Sequence, residues 1–249
     1  MTKIILENVD VSFIVKRKKV QPTSFGNFGM NIVEDSTRVV IDALRGINLR
    51  LKDGDRFGLI GPNGSGKSTL LRVCSGSIIP SGGLVTREGS VSSQTSMSDG
   101  LVFNLTARQN VYIKCLYLGF THSEINAIIK EVESISDLGV YFDLPLSTYS
   151  KGMRSRLLLS LLIFAKADIV LIDEWINTVD PQGSSSISVL CRDVVGSCDV
   201  LLLASHSKRV LKNWCSKLIF LDKGSVVAVG EFDEVYREYA VFRRHCGDV

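Results

Sequence analysis

The sequence predicts an α/β protein with a mixed β core. It has a parallel sheet covered on both faces, an N-terminal antiparallel β subdomain, and a helical subdomain inserted mid-chain. Three observations predict it. Continuous apolar runs, Ile169-Val170-Leu171-Ile172 and Val200-Leu201-Leu202-Leu203-Ala204, alternate with helical stretches. Residues 3–51 are rich in β-formers broken by turn signals. Two capping boxes, Thr106 with Gln109 and Thr121 with Glu124, open successive helices between β-rich segments. A length of 249 residues suits one large domain with a sub-lobe, here residues 1–249 with the helical part at about 93–157.

Taken in order, Lys3 to Phe13 reads as a strand. Residues 21–36 hold Pro, Ser, Asn and Gly and are expected to form an irregular loop. Val39 to Leu44 resumes strand character, Gly46 to Leu51 alternates, and Lys52-Asp53-Gly54-Asp55 is a turn. A short strand then leads into a glycine loop and a helix from Lys67 to Cys74, stopped by Ser75-Gly76. After Thr121, residues Ile125, Ile128, Ile129, Val132 and Ile135 share one helical face. The helix from about Lys151 is apolar all round through Leu157 to Ile163, which predicts burial. Leu218 to Leu221, the turn Asp222-Lys223-Gly224 and Val226 to Val229 make a hairpin, and a last helix spans about Asp233 to Arg244.

The chemistry concentrates on one stretch, Gly61-Pro62-Asn63-Gly64-Ser65-Gly66-Lys67-Ser68-Thr69. It fits the phosphate-binding loop G-x-x-x-x-G-K-[ST] and has the strand and helix flanks that the pattern requires. Glycines let backbone N–H groups close around phosphate oxygens, and the helix N-terminus adds its positive end. Lys67 is expected to reach the β- and γ-phosphates, and the Ser68 hydroxyl to bind Mg²⁺. Asp173 closes an apolar strand, a position from which a carboxylate holds Mg²⁺ directly or through water. Glu174 follows it, placed to polarise an attacking water. His206 ends the next strand and is a candidate sensor of the γ-phosphate. Tyr149-Ser150-Lys151-Gly152-Met153 precedes the buried helix; a hydroxyl and a glycine there make either an anion site or a plain Ser N-cap.

Composition excludes several classes. The net charge of +3 is too small to argue for nucleic acid. Lys16-Arg17-Lys18-Lys19 is a local basic cluster, either a solvated edge or a contact for anionic lipid headgroups. Six scattered cysteines without a C-x-x-C pair read as reduced thiols, not as a disulfide frame or zinc site. The most apolar run, Leu157 to Ile172, is broken by Ser160, Lys166 and Asp168, so it is no membrane span.

In this order and spacing, the phosphate loop, Tyr-Ser-x-Gly-Met, the apolar strand with Asp-Glu, and Ser-His resemble the nucleotide-binding subunit of an ABC transporter over nearly the whole chain. Tyr149 to Met153 stands where that family has its signature, usually Leu-Ser-Gly-Gly-Gln. Ser150 and Gly152 match it, and Lys151 replaces the first glycine. Lys151 either adds a cation near the γ-phosphate or points away. Phe13 matches the aromatic that stacks on adenine, and Asp180 the aspartate closing the D-loop. Ser96 stands where the family's Q-loop has Gln or Glu, with Gln94 two residues early as the candidate. The finer resemblance is to the polysaccharide-exporter branch. It rests on Tyr-Ser-x-Gly-Met-x-x-Arg-Leu, Asp173-Glu174-Trp175, Leu105 to Val111, and Ser205-His206 followed by Cys215.

The resemblance implies an ABC-type P-loop ATPase using ATP and Mg²⁺. It implies Lys67, Glu174 and His206 in catalysis, and Ser68, Asp173 and Gln94 around the metal. ATP then meets Phe13 and residues Gly61 to Thr69 of one chain, and Ser150 and Gly152 of a second copy. A separate membrane-spanning permease and its lipid-linked glycan are the expected partners, with the segment Gln94 to Leu105 as the candidate contact and no nucleic acid involved. The expected location is the cytoplasmic face of the inner membrane, peripherally, and no C-terminal carbohydrate-binding domain is expected. The alternatives are an ATPase for another transported substrate, a soluble ABC ATPase acting on nucleic acid or ribosome, and a P-loop kinase.

Overall fold

The computed structural model describes residues 2–16, 31–34, 38–94, 100–162, 164, 167–173 and 196–246. Two sheets organise them. The N-terminal sheet is antiparallel, in the order β2-β3-β1-β5, from β1 (Lys3–Lys16), β2 (Asn31–Glu34), β3 (Arg38–Lys52) and β5 (Gly82–Glu88). The second sheet has six strands in the order β10-β9-β4-β8-β7-β6. They are β4 (Arg56–Ile60), β6 (Val91–Gln94), β7 (Ile169–Ile172), β8 (Val200–Ala204), β9 (Lys217–Asp222) and β10 (Ser225–Glu231). Strands β9, β4, β8, β7 and β6 run parallel, and β10 turns back antiparallel at one edge.

The continuous apolar runs follow from two cores, one on each face of this sheet. Val170, Ile172, Leu201, Leu203, Leu218 and Phe220 point into one. Ile169, Leu171, Val200, Leu202, Ile219 and Leu221, their neighbours along the strands, point into the other. A strand buried on both faces has no solvent side for polar residues, so the period-2 signal disappears. The second core also takes α1 (Lys67–Ser75) and the inner face of the antiparallel sheet, including Ile4, Leu6 and Leu44.

Three boundaries differ from the sequence reading. Asn31–Glu34 is a strand inside the stretch expected to be loop, paired to β3 in the register Ile32 to Ile41 and Val33 to Val40. Two β-branched residues in a row outweigh the polar surroundings once a partner strand is present. The two expected runs at 39–51 are one strand, whose pairing with β1 shifts register between Leu6, Val9 and Val11. Finally, β6 carries residues 93–94, so helical structure starts later than expected. Its short Val-Ser-Ser-Gln sequence lacks an apolar run, and pairing to β7 on one side defines it.

The helical part contains α2 (Ala107–Tyr117), α3 (His122–Ser136), two short 3-10 turns at Gly139–Asp143 and Leu146–Thr148, and α4 (Lys151–Leu162). Both capping boxes form: Gln109 accepts from Thr106 N at 3.0 Å and Glu124 from Thr121 N at 2.7 Å. The Leu105 to Val111 stretch has a structural job. The Arg108 guanidinium spans Asp143 (2.7 Å) and Glu133 (3.0 Å), joining three elements over the Phe142 ring. Its hydrogen bonds hold the Asp143 carboxyl below the usual carboxylate range. Asn110 is 1% exposed; it accepts from Val102 N at 2.7 Å and donates to Val102 O at 3.0 Å and Thr106 O at 2.8 Å.

The remaining described helices of some length are α5 (Lys208–Trp214) and α6 (Phe232–Cys246). Phe220 of β9 packs edge-on against Tyr239 and Phe242 of α6, with centroids at 5.1 and 5.2 Å. Burial pushes the Cys74 thiol up to about 12, as suits an inert core cysteine. Cys115, Cys198 and Cys215 are likewise buried and outside any disulfide.

Asn110→Ala removes the buried side chain that accepts from the Val102 amide and donates to the Val102 and Thr106 carbonyls. The expected loss is about 2 kcal/mol of stability, read as a lower denaturant midpoint at unchanged slope.

Candidate nucleotide site

The strands' carboxyl ends lie level because the register is fixed. Leu59 of β4 sits opposite Ala204 of β8, and Leu203 of β8 opposite Ile172 of β7. This brings Gly61, Ser205-His206 and Asp173 to one edge, where open α/β sheets bind ligands. Asp173 is two strand spacings from the phosphate loop, about 10 Å. It is buried, 7% exposed. Gln94 ends β6 at the same edge, opposite Ile172; its side chain lies outside the described residues. So does all of Glu174, with Trp175 and Asp180.

The loop has the form the sequence predicts. Gly66 is the N-cap of α1 at φ 105°, and no side chain caps the helix. The first intrahelical bond runs from Leu70 N to Gly66 O at 2.8 Å. The amides of Lys67, Ser68 and Thr69 therefore have no acceptor within their own helix and are set for an anion. The Lys67 side chain is 5% exposed and folds along the loop, its Nζ donating to Gly61 O and Pro62 O at 3.0 Å each. The Ser65 hydroxyl is buried without a partner among the described residues. Such an orphan beside open amides fits a phosphate oxygen.

Neighbouring chain segments pin the loop. At Gly61 a Cβ would run into the Leu221 carbonyl of β9 and lie 2.6 Å from Ser65 Oγ, so a side chain has no room. The β9–β10 turn reaches across: Gly224 N donates to Ser65 O at 3.0 Å, and Arg45 N of β3 donates to Gly224 O at 2.8 Å. Lys223 and Gly224 have φ of 45° and 79°, the positive pair of a type I′ hairpin turn. A Cβ on Gly224 would lie 2.8 Å from Ala43 O. Sequence reading found this turn but missed its role, because the contact spans 159 residues, from Ser65 to Gly224.

The remaining predicted residues divide. His206 is exposed at the end of β8, in a cleft of about 300 Å³ with Asn63 and Ser205. Phe13 is 41% exposed on β1, so it is not ordinary sheet core. Ser150 caps α4, accepting from Met153 N at 3.2 Å, which is the plain N-cap reading. Gly152 is different: a Cβ there would meet only Ser150 Oγ, at 3.8 Å. Among the described residues nothing crowds that position enough to require a glycine. Tyr149 anchors the turn before it, donating to Tyr141 O at 2.6 Å, and burial, with the Asp143 charge, pushes its hydroxyl up to about 12.

A phosphate loop on a parallel sheet, with a carboxylate and a histidine at the neighbouring strand ends, defines a P-loop nucleoside-triphosphate-binding protein. Comparisons with known proteins narrow the class. The family model described as "ABC transporter" matches residues 44–177. A teichoic acids export ATP-binding protein of Lactococcus lactis is 33% identical over 94% of this chain and 51% of its own length. An O-antigen export system ATP-binding protein of Yersinia enterocolitica is 32% identical over 91% of this chain and 97% of its own. Among solved structures, the dimeric post-hydrolysis state of the ATP-binding cassette MJ0796 with ADP and Pi superposes with a TM-score of 0.71. It covers 92% of this chain and 98% of that one at 19% identity. This chain belongs to the ABC transporter family. It spans about half the length of the Lactococcus relative.

The Gly224→Val side chain would strain a positive φ and press on Ala43. A loss of about 1–3 kcal/mol in stability is expected. Nucleotide binding, followed by titration with a fluorescent ATP analogue, should weaken in parallel although residue 224 touches no phosphate; undiminished affinity would show that the turn does not brace the loop.

Proposed function

We propose that this chain is the ATP-hydrolysing subunit of an ABC exporter that moves a lipid-linked polysaccharide, O-antigen or a similar glycan, across the inner membrane. The observation that carries the cargo is the similarity, over more than nine-tenths of the chain, to proteins named for teichoic acid and O-antigen export. The spelling Tyr149-Ser150-Lys151-Gly152-Met153 and Asp173-Glu174-Trp175 supports it.

The residues take these roles. Amides of the loop and of the first turn of α1 bind the phosphates, Lys67 neutralises them, and Phe13 offers its face to adenine. Among the described residues no group of three His, Cys, Asp or Glu side chains gathers to hold a metal alone. One hydroxyl, Ser68, and one carboxylate, Asp173, with Gln94 beyond, suit Mg²⁺ held jointly with phosphate oxygens and water. That ion would draw charge from the β- and γ-phosphates. Glu174 is assigned the attacking water, and His206 the γ-phosphate. The described residues contain no helix long and apolar enough to span a membrane, in keeping with a peripheral subunit that works through a separate permease. The segment Gln94 to Leu105, of which residues 95–99 lie outside the described residues, is assigned as the contact with it, and the whole chain as one cassette with its helical part at about 93–157.

Two copies complete the site. The open space at Gly152 among the described residues supports this reading, since it leaves room for an approach from outside. The dimeric cassette MJ0796 has the same fold. ATP then bridges the phosphate loop of one copy and Ser150-Gly152 of the other, and hydrolysis releases them.

Gly152→Val separates binding from closure. One protomer's ATP affinity should stay within about twofold, while ATP-dependent dimer formation on size exclusion and ATPase activity both fall by about tenfold or more. An unchanged dimer would remove Gly152 from the interface. The cargo is tested by deletion: lipid-linked glycan should accumulate inside and the surface should be bare. Normal surface glycan, with no paralogue present, contradicts the cargo and leaves the ATPase reading intact.

A further inference from the structure

The turn at Ser150-Lys151-Gly152 is tied to the chain ahead of α2, and one tie is a side chain that the sequence motifs leave without a role. Residues 102–106 lie alongside residues 145–149. Ser147 N donates to Phe103 O at 2.9 Å, Leu146 N donates to Leu105 O at 3.0 Å, and Thr106 pairs with Pro145 as an antiparallel bridge. These bonds hold the chain that enters the turn. Arg154 holds the chain that leaves it. Its amide makes the first bond of α4, donating to Ser150 O at 3.1 Å, so its side chain stands one turn after Ser150. Its guanidinium carbon lies 4.9 Å from the centre of the Phe103 ring, and that ring packs against the larger core. The Arg154 Nε is buried and has no hydrogen-bond partner among the described residues. A buried N–H without an acceptor is costly, so the face of the Phe103 ring is what receives the charge.

We propose that Arg154 is a positioning residue for the ATP-covering half of the site: through its contact with Phe103 it sets the Ser150-Gly152 turn against segment 102–106. The inference rests on the reading above that this turn covers ATP bound by a second copy. To do so, the Ser150 hydroxyl and the open space at Gly152 must stand where that ATP arrives. Ser150 and Arg154 share the first bond of α4, so a tilt of its first turn moves both. A turn already held in place loses less entropy when the second copy closes on it. A guanidinium is planar and lies against the negative face of an aromatic ring, which fixes direction as well as distance. The Phe103 ring belongs to the segment Gln94 to Leu105, assigned above to the permease. A shift of that segment therefore reaches the covering turn through the Arg154 contact and the two backbone bonds beside it.

Size exclusion of the full chain with ATP and Mg²⁺ tests it, on wild type, Arg154→Met, Arg154→Lys, Phe103→Leu and the double variant Arg154→Met with Phe103→Leu. Methionine keeps an unbranched stem without the charge, and leucine keeps apolar bulk without the π face. The ATP concentration that gives half dimer should rise about three- to tenfold in Arg154→Met and in Phe103→Leu. The double variant should be within about twofold of the worse single one, because both changes remove the same contact. Arg154→Lys keeps a cation over the ring and should recover most of the loss. ATP affinity of one protomer, titrated in dilute protein with a fluorescent analogue, should stay within about twofold throughout. Unchanged dimer formation in Arg154→Met overturns the proposal. So do losses that multiply in the double variant, or a loss in Arg154→Lys equal to that in Arg154→Met. Single-protomer affinity that falls as far as dimer formation also overturns it, because the pair then supports the fold at large. Wild type that binds ATP and stays monomeric instead sinks the two-copy reading, and this inference with it.

Discussion

The structure turns on how closely backbone approaches backbone at the phosphate loop. Gly61 lies against the Leu221 carbonyl of β9, and Gly224 bridges Ser65 and Arg45. The loop is thereby clamped between the two sheets, with the hairpin turn as the wedge. A flexible loop would lose binding energy in becoming ordered around phosphate; a clamped one meets it with amides already aimed. The same clamp explains why the antiparallel sheet sits where it does. Its strand β3 supplies Ala43 and Arg45 to the brace, and its inner face shares a core with α1.

The second constraint is register. Parallel pairing sets the ends of β4, β8 and β7 level, and each end carries a piece of the site where the strand leaves the core: the phosphate loop from Gly61, Ser205-His206, and Asp173. No element other than the sheet is needed to gather them. The helical part is joined differently, through polar devices. Arg108 ties α2 to α3 and to the 3-10 turn, and Asn110 folds the incoming segment onto α2. The Leu105 to Val111 stretch, which resembles an exporter-branch marker, thus has a local physical reason: it is the joint by which the helices hang together.

Local features of the fold were legible in the sequence. The loop pattern, both capping boxes, the hairpin turn and the doubly buried strands each depend on residues within about one element's length, where periodicity and turn chemistry act. What was not legible depends on distant partners. Val91–Gln94 becomes a strand because β7 offers an edge, and Asn31–Glu34 because β3 does. For the site, Lys67, Asp173 and His206 could be placed from strand ends alone. The brace at Gly224 could not: it lies 159 residues beyond Ser65, and the β9–β10 turn brings it to the loop. Gly152 was legible as a motif match, but the open space beside it emerged only from its described surroundings.

The central claim is that ATP is gripped by open backbone amides of a braced loop and covered by the signature turn of a second copy. Backbone hydrogen exchange with and without ATP and Mg²⁺, resolved by residue, reads both halves at once. The account predicts added protection at residues 61–69 and at 150–153 together. Unchanged exchange at 61–69 would contradict it.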